Sequence, residues 1–567
     1  MNQSNNEEID VLVVGAGPTG LTAACELARY GLKFRIIEKR AEPSDKSKAL
    51  VVHARTLELL RLMGCADQFL QFGLRILGVN IYDANKRIAH LSLTDIDSPF
   101  QYALGIPQFH TERLLYEHLQ SYKSDVERQT ELLSISENSD HVTAIIRTAQ
   151  GKEEKLRCKY LIACDGSHSS VRSSINESFD GGVYEELFQL ADVKVNWEPN
   201  QTYEELFAFS SAQGNAAFFP MPGERWRVIT VLPPGVPEND PTLEEIQANV
   251  DAVVPWKVTL SDPVWLSTFK VPYRRVKHYR HNRIFLAGDA AHCHSPVGGQ
   301  GMNTGMQDVF NLVWKLALAV HDQASEELLN SYHKERHAVA EQLMRSVDLM
   351  SRVNFIRAPL AREIRNRLAP LLINQQGIRN RIESFITEIG INYRNSPVVA
   401  EASSDLLLAA LPTPKYDDDP HLGQWFQFSH GPKAGDRAPE AHMTDCANGQ
   451  SVLLSDLLKT GKHNLLLVSG DAADHHVLKN LCDIASDAQG KFGEFVDISL
   501  ITPGEVLPGD LEFAGAKFLD TDYSVHERLG AGASCMYIIR PDAYVGYRCQ
   551  PPDFAGVDEY FSKIIKL

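Results

Sequence analysis

A chain of 567 residues with 44% hydrophobic and 23% charged residues has the balance of a globular protein of roughly three to four domains. A net charge of −17, with no basic cluster, argues against nucleic acid or an anionic membrane as partner. Nine scattered cysteines without a CxxC pair exclude a zinc ribbon and a dithiol redox motif and fit reduced thiols. The polar, acidic start MNQSNNEEID does not read as a signal peptide, and the most apolar helical stretch, 311–320, carries Lys315 and is too short for a bilayer. A cytoplasmic protein is expected.

Asp10–Val14 (DVLVV) is the β-branched run of a buried parallel strand. Gly15, Ala16, Gly17, Pro18, Thr19 and Gly20 follow at once, then a helical pattern through Leu21, Ala24, Cys25, Leu27 and Ala28 to Gly31 as C-cap. A second run, Phe34–Ile37, ends in Glu38 and Lys39. Strand, GxGxxG, helix, strand and acid form the complete dinucleotide fingerprint, with Glu38 eighteen residues past Gly20. A carboxylate at Glu38 accepts hydrogen bonds from an adenosine ribose and repels a 2′-phosphate, so the site suits FAD or NAD, not NADP.

Further on, Thr56–Leu62 reads as a helix, with Arg55 before it as a candidate for a phosphate or a ring edge and His53 as a structural residue. Another helix begins near Gln108, itself a candidate cofactor contact along with Arg113. Residues 126–163 alternate in short runs, as a β-meander returning to the main sheet. They end in Asp165–Gly166 ahead of Ser170 and Arg172, so Asp165 is expected to cap a short helix and organise a pyrophosphate region. From 175 to 275 helical periodicity fades and aromatic strand-like runs appear. They read as an inserted β-rich domain in which Phe207, Phe219 and Met221 are candidate pocket residues, each equally placed to be ordinary sheet core.

The chain is organised around Arg283–Val320. Ile284–Ala287 reads as a buried strand ending in Gly288–Asp289. A glycine-dense loop follows, Pro296-Val297-Gly298-Gly299-Gln300-Gly301, and then a helix with Met306, Val309, Phe310, Val313, Ala317 and Val320 on one face. Such a loop lets backbone approach a flat ligand, and the helix start offers it positive potential. Long helices are expected to about 388, a linker over 403–430, and a β-α-β-β order from 431 onward. The cluster Asp471, Asp474, His475, His476 and the pair His292, His294 are not expected to hold a metal.

Three stretches in order, Gly15-x-Gly17-x-x-Gly20 with Glu38, Asp165–Arg172 and Gly288–Gly305, resemble the para-hydroxybenzoate hydroxylase fold family, single-component FAD-dependent aromatic hydroxylases, over about residues 8–400. Gly435–Pro439 and the IIRPDAYVGYR stretch look like the thioredoxin-like tail of its phenol, pentachlorophenol and polyketide hydroxylase branch, although SGDAADHH stands where a dithiol would. The resemblance implies an α/β fold with a Rossmann-like FAD-binding domain of the GR2 type in two parts, 1–175 and 276–402. It also implies a β-rich substrate domain at 176–275, a linker at 403–430 and a thioredoxin-like domain without CxxC at 431–567. It implies an FAD-dependent monooxygenase that consumes NADPH, with NADH as the alternative, and O2, and hydroxylates a phenolic or polycyclic aromatic through a flavin C4a-hydroperoxide.

By the same resemblance, Gly15, Gly17, Pro18, Thr19, Gly20, Glu38, Lys39, Arg55, Gln108, Asp165, Gly288, Asp289, Pro296, Gly301, Met302 and Asn303 would bind the cofactor. Pro296, Gly298 and Arg55 would border the reacting ring, and Arg172 would help receive NADPH. A homodimer is allowed. Baeyer–Villiger oxidation, epoxidation or antibiotic inactivation on the same fold, and a flavin-binding sensor or scaffold without turnover, stand as alternatives.

Overall fold

Ile9–Val14 is the strand about which the nucleotide-binding sheet is laid out, buried along nearly its whole length. It pairs in parallel with Phe34–Glu38 on one side and with the long strand Glu153–Ala163 on the other, and Glu153–Ala163 pairs in parallel with Ile284–Leu286. Val126–Arg128 extends the sheet beyond Phe34–Glu38. The antiparallel pair Glu131–Glu137 and Val142–Arg147 returns the chain to Glu153–Ala163. A run rich in Val and Ile with no polar alternation suits this arrangement, because both faces are covered. The register brings Val14 level with Ile37 and Ala163, and Ala163 level with Leu286. Three of the loops that leave the sheet therefore start along one edge, at Gly15, Cys164 and Ala287.

The computed structural model describes residues 8–45, 49–232, 235–294, 298–354, 367, 375–403, 422–471, 474–504 and 511–566. They fall into two compact units, one of Met1–Arg61, Cys65–Phe310 and Arg336–Gly390, the other of Leu62–Gly64, Asn311–Glu335 and Ile391–Leu567. Pro296 lies outside the described residues, as does most of the expected linker, 404–421.

Within the first unit a seven-stranded sheet runs in the order Lys257–Phe269, Leu187–Glu198, Arg225–Leu232, Asn215–Met221, Glu205–Ser210, Gly78–Asp83, Lys86–Ser92. Its last two strands come from ahead of residue 176. Gly78–Asp83 joins by parallel pairing with Glu205–Ser210, a contact made by no local turn. The segment expected to be β-rich also holds a helix, Leu243–Val253, opened by a reciprocal cap between Thr242 and Glu245. Ile246, Val250 and Val253 of this helix pack on Trp197, Phe207, Phe209, Phe218 and Trp226 and close one face of the sheet.

The second unit has one sheet, centred on the wholly buried strand His463–Val468. That strand is parallel to Val496–Thr502, reached through the helix His475–Phe492, and antiparallel to Cys535–Ile539, which pairs with Val545–Gln550. The helix Phe554–Ile564 ends the unit. Where SGDAADHH departs from a dithiol, Asp474 caps His475–Phe492 by accepting from the Val477 amide. A buried ionic cluster lies in the same unit. Glu335 takes Lys315 at 2.7 Å, the two terminal nitrogens of Arg540 at 2.7 and 3.0 Å and the Ser396 hydroxyl at 2.6 Å, and Arg540 also reaches Asp542 at 2.6 Å. Every lone pair of Glu335 is thus used, which is the condition for keeping such charges out of water.

Candidate functional site

The edge where the parallel strands end is where a doubly wound sheet receives its ligands. Gly15 leaves the first strand with φ +101°, and a Cβ there would stand 2.4 Å from the Cys164 carbonyl oxygen. A Cβ on Gly20 would stand 1.9 Å from the Gly15 carbonyl oxygen. Both positions are closed by protein. At Gly17 the same added carbon would meet nothing within 4 Å. The loop is therefore packed at two glycines and open at the third, with Pro18 as first residue of the helix Pro18–Arg29, whose first-turn amides have no partner within the helix. Glu38 straddles this loop, accepting from the Ala16 amide at 2.9 Å with one oxygen and from the Arg40 amide at 3.0 Å with the other. Lys39 beside it is exposed.

Asp165 holds the next loop. Its Oδ2 accepts from the Ser170 amide (2.7 Å), the Ser170 hydroxyl (3.0 Å) and the Val171 amide (3.2 Å), while Ser169 caps the short helix Ser170–Ser174. Its Oδ1 is buried and meets no hydrogen-bond partner among the described residues. Arg172 is not a surface group. It donates to the carbonyls of Ala290 (2.9 Å) and Ser167 (2.7 Å), lies 3.9 Å from the centre of the Phe179 ring and is 8% exposed. The expectation that it receives NADPH is corrected by this burial.

The third loop is the tightest. Gly288 has φ +57°, and Cβ atoms on Gly288 and Gly305 would lie 2.5 and 2.6 Å from the Thr19 hydroxyl oxygen. Thr19 is thereby wedged between the Gly288 turn and the helix Gly301–Val320. Asp289 follows on the exposed side of this turn. The turn is fixed from beneath by Asp308, a fully buried acid that the sequence reading did not single out. Asp308 accepts from the Gly288 amide (2.9 Å), His292 Nε2 (2.8 Å) and Arg336 Nε (2.7 Å). Burial would raise its carboxyl pKa, but Arg336 and His292 outweigh it and hold it below the ordinary range. The available signal was a charged residue inside a helix whose neighbours Met306, Val309 and Phe310 are apolar.

The start of Gly301–Val320 is stapled by side chains. Asn303 accepts from the His53 amide (2.9 Å) and donates to the carbonyls of Val51 (2.8 Å) and Gly299 (2.9 Å). His53 Nε2 meets the Gly298 carbonyl at 2.8 Å, and burial lowers the His53 pKa to about 4, so the ring is neutral and donates there. The Gly298 and Gly299 carbonyls are thus turned into the protein. The amides of Gly301, Met302 and Asn303, ahead of the first helical bond from Thr304 N to Gln300 O, have no acceptor among the described residues. Behind them Glu388 accepts from Thr304 Oγ1 (3.2 Å) and Gln307 Nε2 (2.6 Å), and burial pushes its pKa up to about 8 against the pull of Arg336.

The remaining expected site residues divide. Gln108 ties its own amide and side-chain carbonyl to Ala49 (3.0 and 3.2 Å) and donates to Glu112 (2.8 Å) at the start of the helix Gln108–Ser121. Arg55 is turned inward, with its side chain 2% exposed and paired with Glu58 at 2.9 Å, while Glu58 also takes the Ser98 hydroxyl at 2.7 Å. That burial corrects the expectation of Arg55 as a group presented to a ring. Phe219 and Met221 pack with Leu50, Val51, Ile76 and Ala103, the segment beside the Gly299 loop. Phe207 lies on the opposite face, in the core under Leu243–Val253. Its partner across the hairpin is Phe218, so side-chain alternation puts Phe219 on the other side, and Phe207 is corrected from pocket candidate to core residue.

The residues fit a dinucleotide with a flat ring: an open approach at Gly17, an unsatisfied buried oxygen at Asp165, an acid at Glu38 and free amides at 301–303. Comparison with known proteins agrees. The chain is 35% identical over 367 residues to an uncharacterized aromatic compound monooxygenase of Bacillus subtilis (strain 168), covering 64% of this chain and 72% of that protein. It is 28% identical over 563 residues to the pentachlorophenol 4-monooxygenase of Sphingobium chlorophenolicum, covering 97% and 94%. Among solved structures, the anhydrotetracycline hydroxylase from Streptomyces rimosus superposes with a TM-score of 0.72 at 25% identity, covering 98% of this chain and 99% of that one. A family model described as FAD binding domain matches residues 8–347, and with that match the chain belongs to this FAD-binding family.

Proposed function

We propose that this protein is an FAD-dependent monooxygenase that uses NADPH and O2 to hydroxylate a phenolic or polycyclic aromatic compound. The observation that carries the reading is the meeting, at one edge of the sheet, of the Gly15–Gly20 loop, Glu38, Asp165 and the Gly288–Asp289 turn with a helix start whose amides have no acceptor among the described residues. Relatives named as aromatic compound, pentachlorophenol and anhydrotetracycline oxygenases support the chemistry.

The flavin, when bound, supplies the oxygen-activating chemistry, and the chain supplies binding, orientation and exclusion of water. Gly17 and the amides of Pro18–Arg29 receive the pyrophosphate, Glu38 the adenosine ribose, and Asp289 the ribityl hydroxyls. Gln108 borders the same chain. The amides of Gly301, Met302 and Asn303 face the pyrimidine end of the ring, where negative charge develops on reduction. Gly298 would border the ring face, and Phe219 and Met221 would border the aromatic substrate. The unit from Ile391 onward is read as thioredoxin-like without redox chemistry; its βαβ-ββα strand order supports the first point, and the lack of a CxxC pair in the sequence the second.

The test is NADPH oxidation by the purified protein, alone and with a panel of phenols and polycyclic quinones, following oxygen and peroxide together. Stimulation by one ligand class with little peroxide is expected. An absence of stimulation by every member, with flavin bound, would refute the hydroxylase reading and favour a flavoprotein without turnover.

A further inference from the structure

Among the described residues, one cluster of metal-ligating side chains lies outside this site. Glu177 follows the helix Ser170–Ser174, and His278 and His281 sit at the turn that leads into the strand Ile284–Leu286. The histidine and carboxylate ligand atoms of the three lie within 4.8 Å of one another. Glu177 is held in place before any ion arrives: its Oε1 accepts from the amides of Lys277 (2.8 Å) and His278 (3.0 Å), and its own amide donates to the Arg172 carbonyl (3.1 Å). That leaves Oε2, which stands 3.3 Å from His278 Nδ1 and 2.8 Å from His281 Nε2.

The second contact is unusual in one respect. His281 Nε2 is shielded from solvent and makes no directional hydrogen bond to any described residue, although the carboxylate oxygen is within reach. A ring nitrogen and a carboxylate oxygen close together but out of hydrogen-bonding line are disposed as two ligands of one ion. The Glu177 side chain is 6% exposed and those of His278 and His281 are 49% and 28% exposed, so one side of the cluster opens to water. The two imidazoles stand nearly perpendicular, at 82°.

We propose that Glu177, His278 and His281 form a binding site for a divalent transition-metal ion of the zinc class, with water as fourth ligand. Two imidazoles and one carboxylate are a borderline donor set, which favours zinc over calcium or magnesium. Ligand bonds of about 2.0–2.2 Å need only a fraction of an ångström of opening between His281 and Glu177. His281 is paired with Ile284, at the end of the Ile284–Leu286 strand away from Gly288, so the ion clamps the far edge of the sheet and takes no part in oxygen chemistry. It joins the segment after Arg172 to the turn at 277–281, two stretches a hundred residues apart in the chain.

The test uses tag-free full-length protein treated with chelator, then titrated with Zn2+ against a competing indicator, beside H278A/H281A and H278Q. The wild type is expected to take up one equivalent per chain and to melt at a higher temperature with zinc than without it. The double variant should bind on the order of 100-fold more weakly or worse and melt like metal-free wild type, with H278Q between them. No stoichiometric uptake by the wild type, or uptake by the double variant equal to that of the wild type, would overturn the assignment, since it would put the metal on other residues or nowhere.

Discussion

Replacing Glu388 with glutamine should make the protein more stable at alkaline pH and leave it unchanged in acid. Glu388 is 3% exposed and accepts from the neutral groups of Thr304 and Gln307, and burial moves its pKa from an ordinary 4.5 to about 8. Arg336 pulls the other way, and Asp308 adds to the rise. The folded protein therefore keeps this proton until pH passes about 8, whereas the unfolded chain gives it up near 4.5. Between those values the unfolded state binds fewer protons, so stability falls as pH rises and levels off above 8. At about 1.4 kcal/mol per pH unit the loss is on the order of 3–4 kcal/mol at neutral pH and about 5 kcal/mol in full. Glutamine keeps the bond accepted from Gln307, turns its amide nitrogen to Thr304 so that the hydroxyl there accepts and no longer donates, and cannot ionise. The assay is the thermal midpoint of wild type and E388Q from pH 5 to 9. Near pH 5 the two should agree; at pH 8 the variant should melt several degrees higher, since a few kcal/mol moves the midpoint of a domain this size by that much. All other titrations cancel in the difference. Parallel curves for the two proteins would refute the burial argument.

Asp308→Asn should remove the charge that balances Arg336 in a dry site, lowering stability by about 3–5 kcal/mol and loosening the Gly288 turn; chemical unfolding and the flavin-to-protein absorbance ratio after gel filtration check the two effects. Asp289→Ala, on the exposed side of the same turn, should lower flavin retention with little change in unfolding, and unchanged flavin affinity would contradict its role. Phe207→Ala should cost about 3–5 kcal/mol in unfolding and leave the KM for the aromatic substrate unaltered, while Phe219→Ala should shift that KM, and the reverse pattern would return Phe207 to the pocket.

Much of the nucleotide-binding edge was legible because its signals are local. A β-branched strand, a glycine loop and a helix lie within twenty residues around Gly15, and the Gly288–Gly301 stretch repeats that logic. What escaped were contacts made by chain segments far apart. Asp308 acquires its meaning from His292 and Arg336, sixteen and twenty-eight residues away, and Glu388 from Thr304, eighty-four residues away. Arg55 looked presented although its partner Glu58 is only three residues on; what fixes Glu58 in turn is Ser98, from a different segment. The face of Phe207 follows from hairpin register, which needs the Phe207–Phe218 pairing and not composition. The strands at 78–92 were missed because only the parallel pairing to Glu205–Ser210 makes them part of that sheet. The helix Leu243–Val253 was legible, through Thr242 and Glu245, and the aromatic runs around it drew attention away.

Asn303 and His53 do more than hold a loop. By drawing the carbonyls of Gly298 and Gly299 inward they turn the negative ends of those peptide dipoles away from the amides of 301–303, which have no acceptor among the described residues. A seat that has lost its acceptors in this way holds a ring more tightly after the ring has gained charge than before. Affinity and electron uptake are then one thermodynamic quantity: each tenfold preference for the charged form raises a two-electron midpoint potential by about 30 mV. On this view Asn303 and His53, neither of them redox-active, tune how readily the protein accepts electrons.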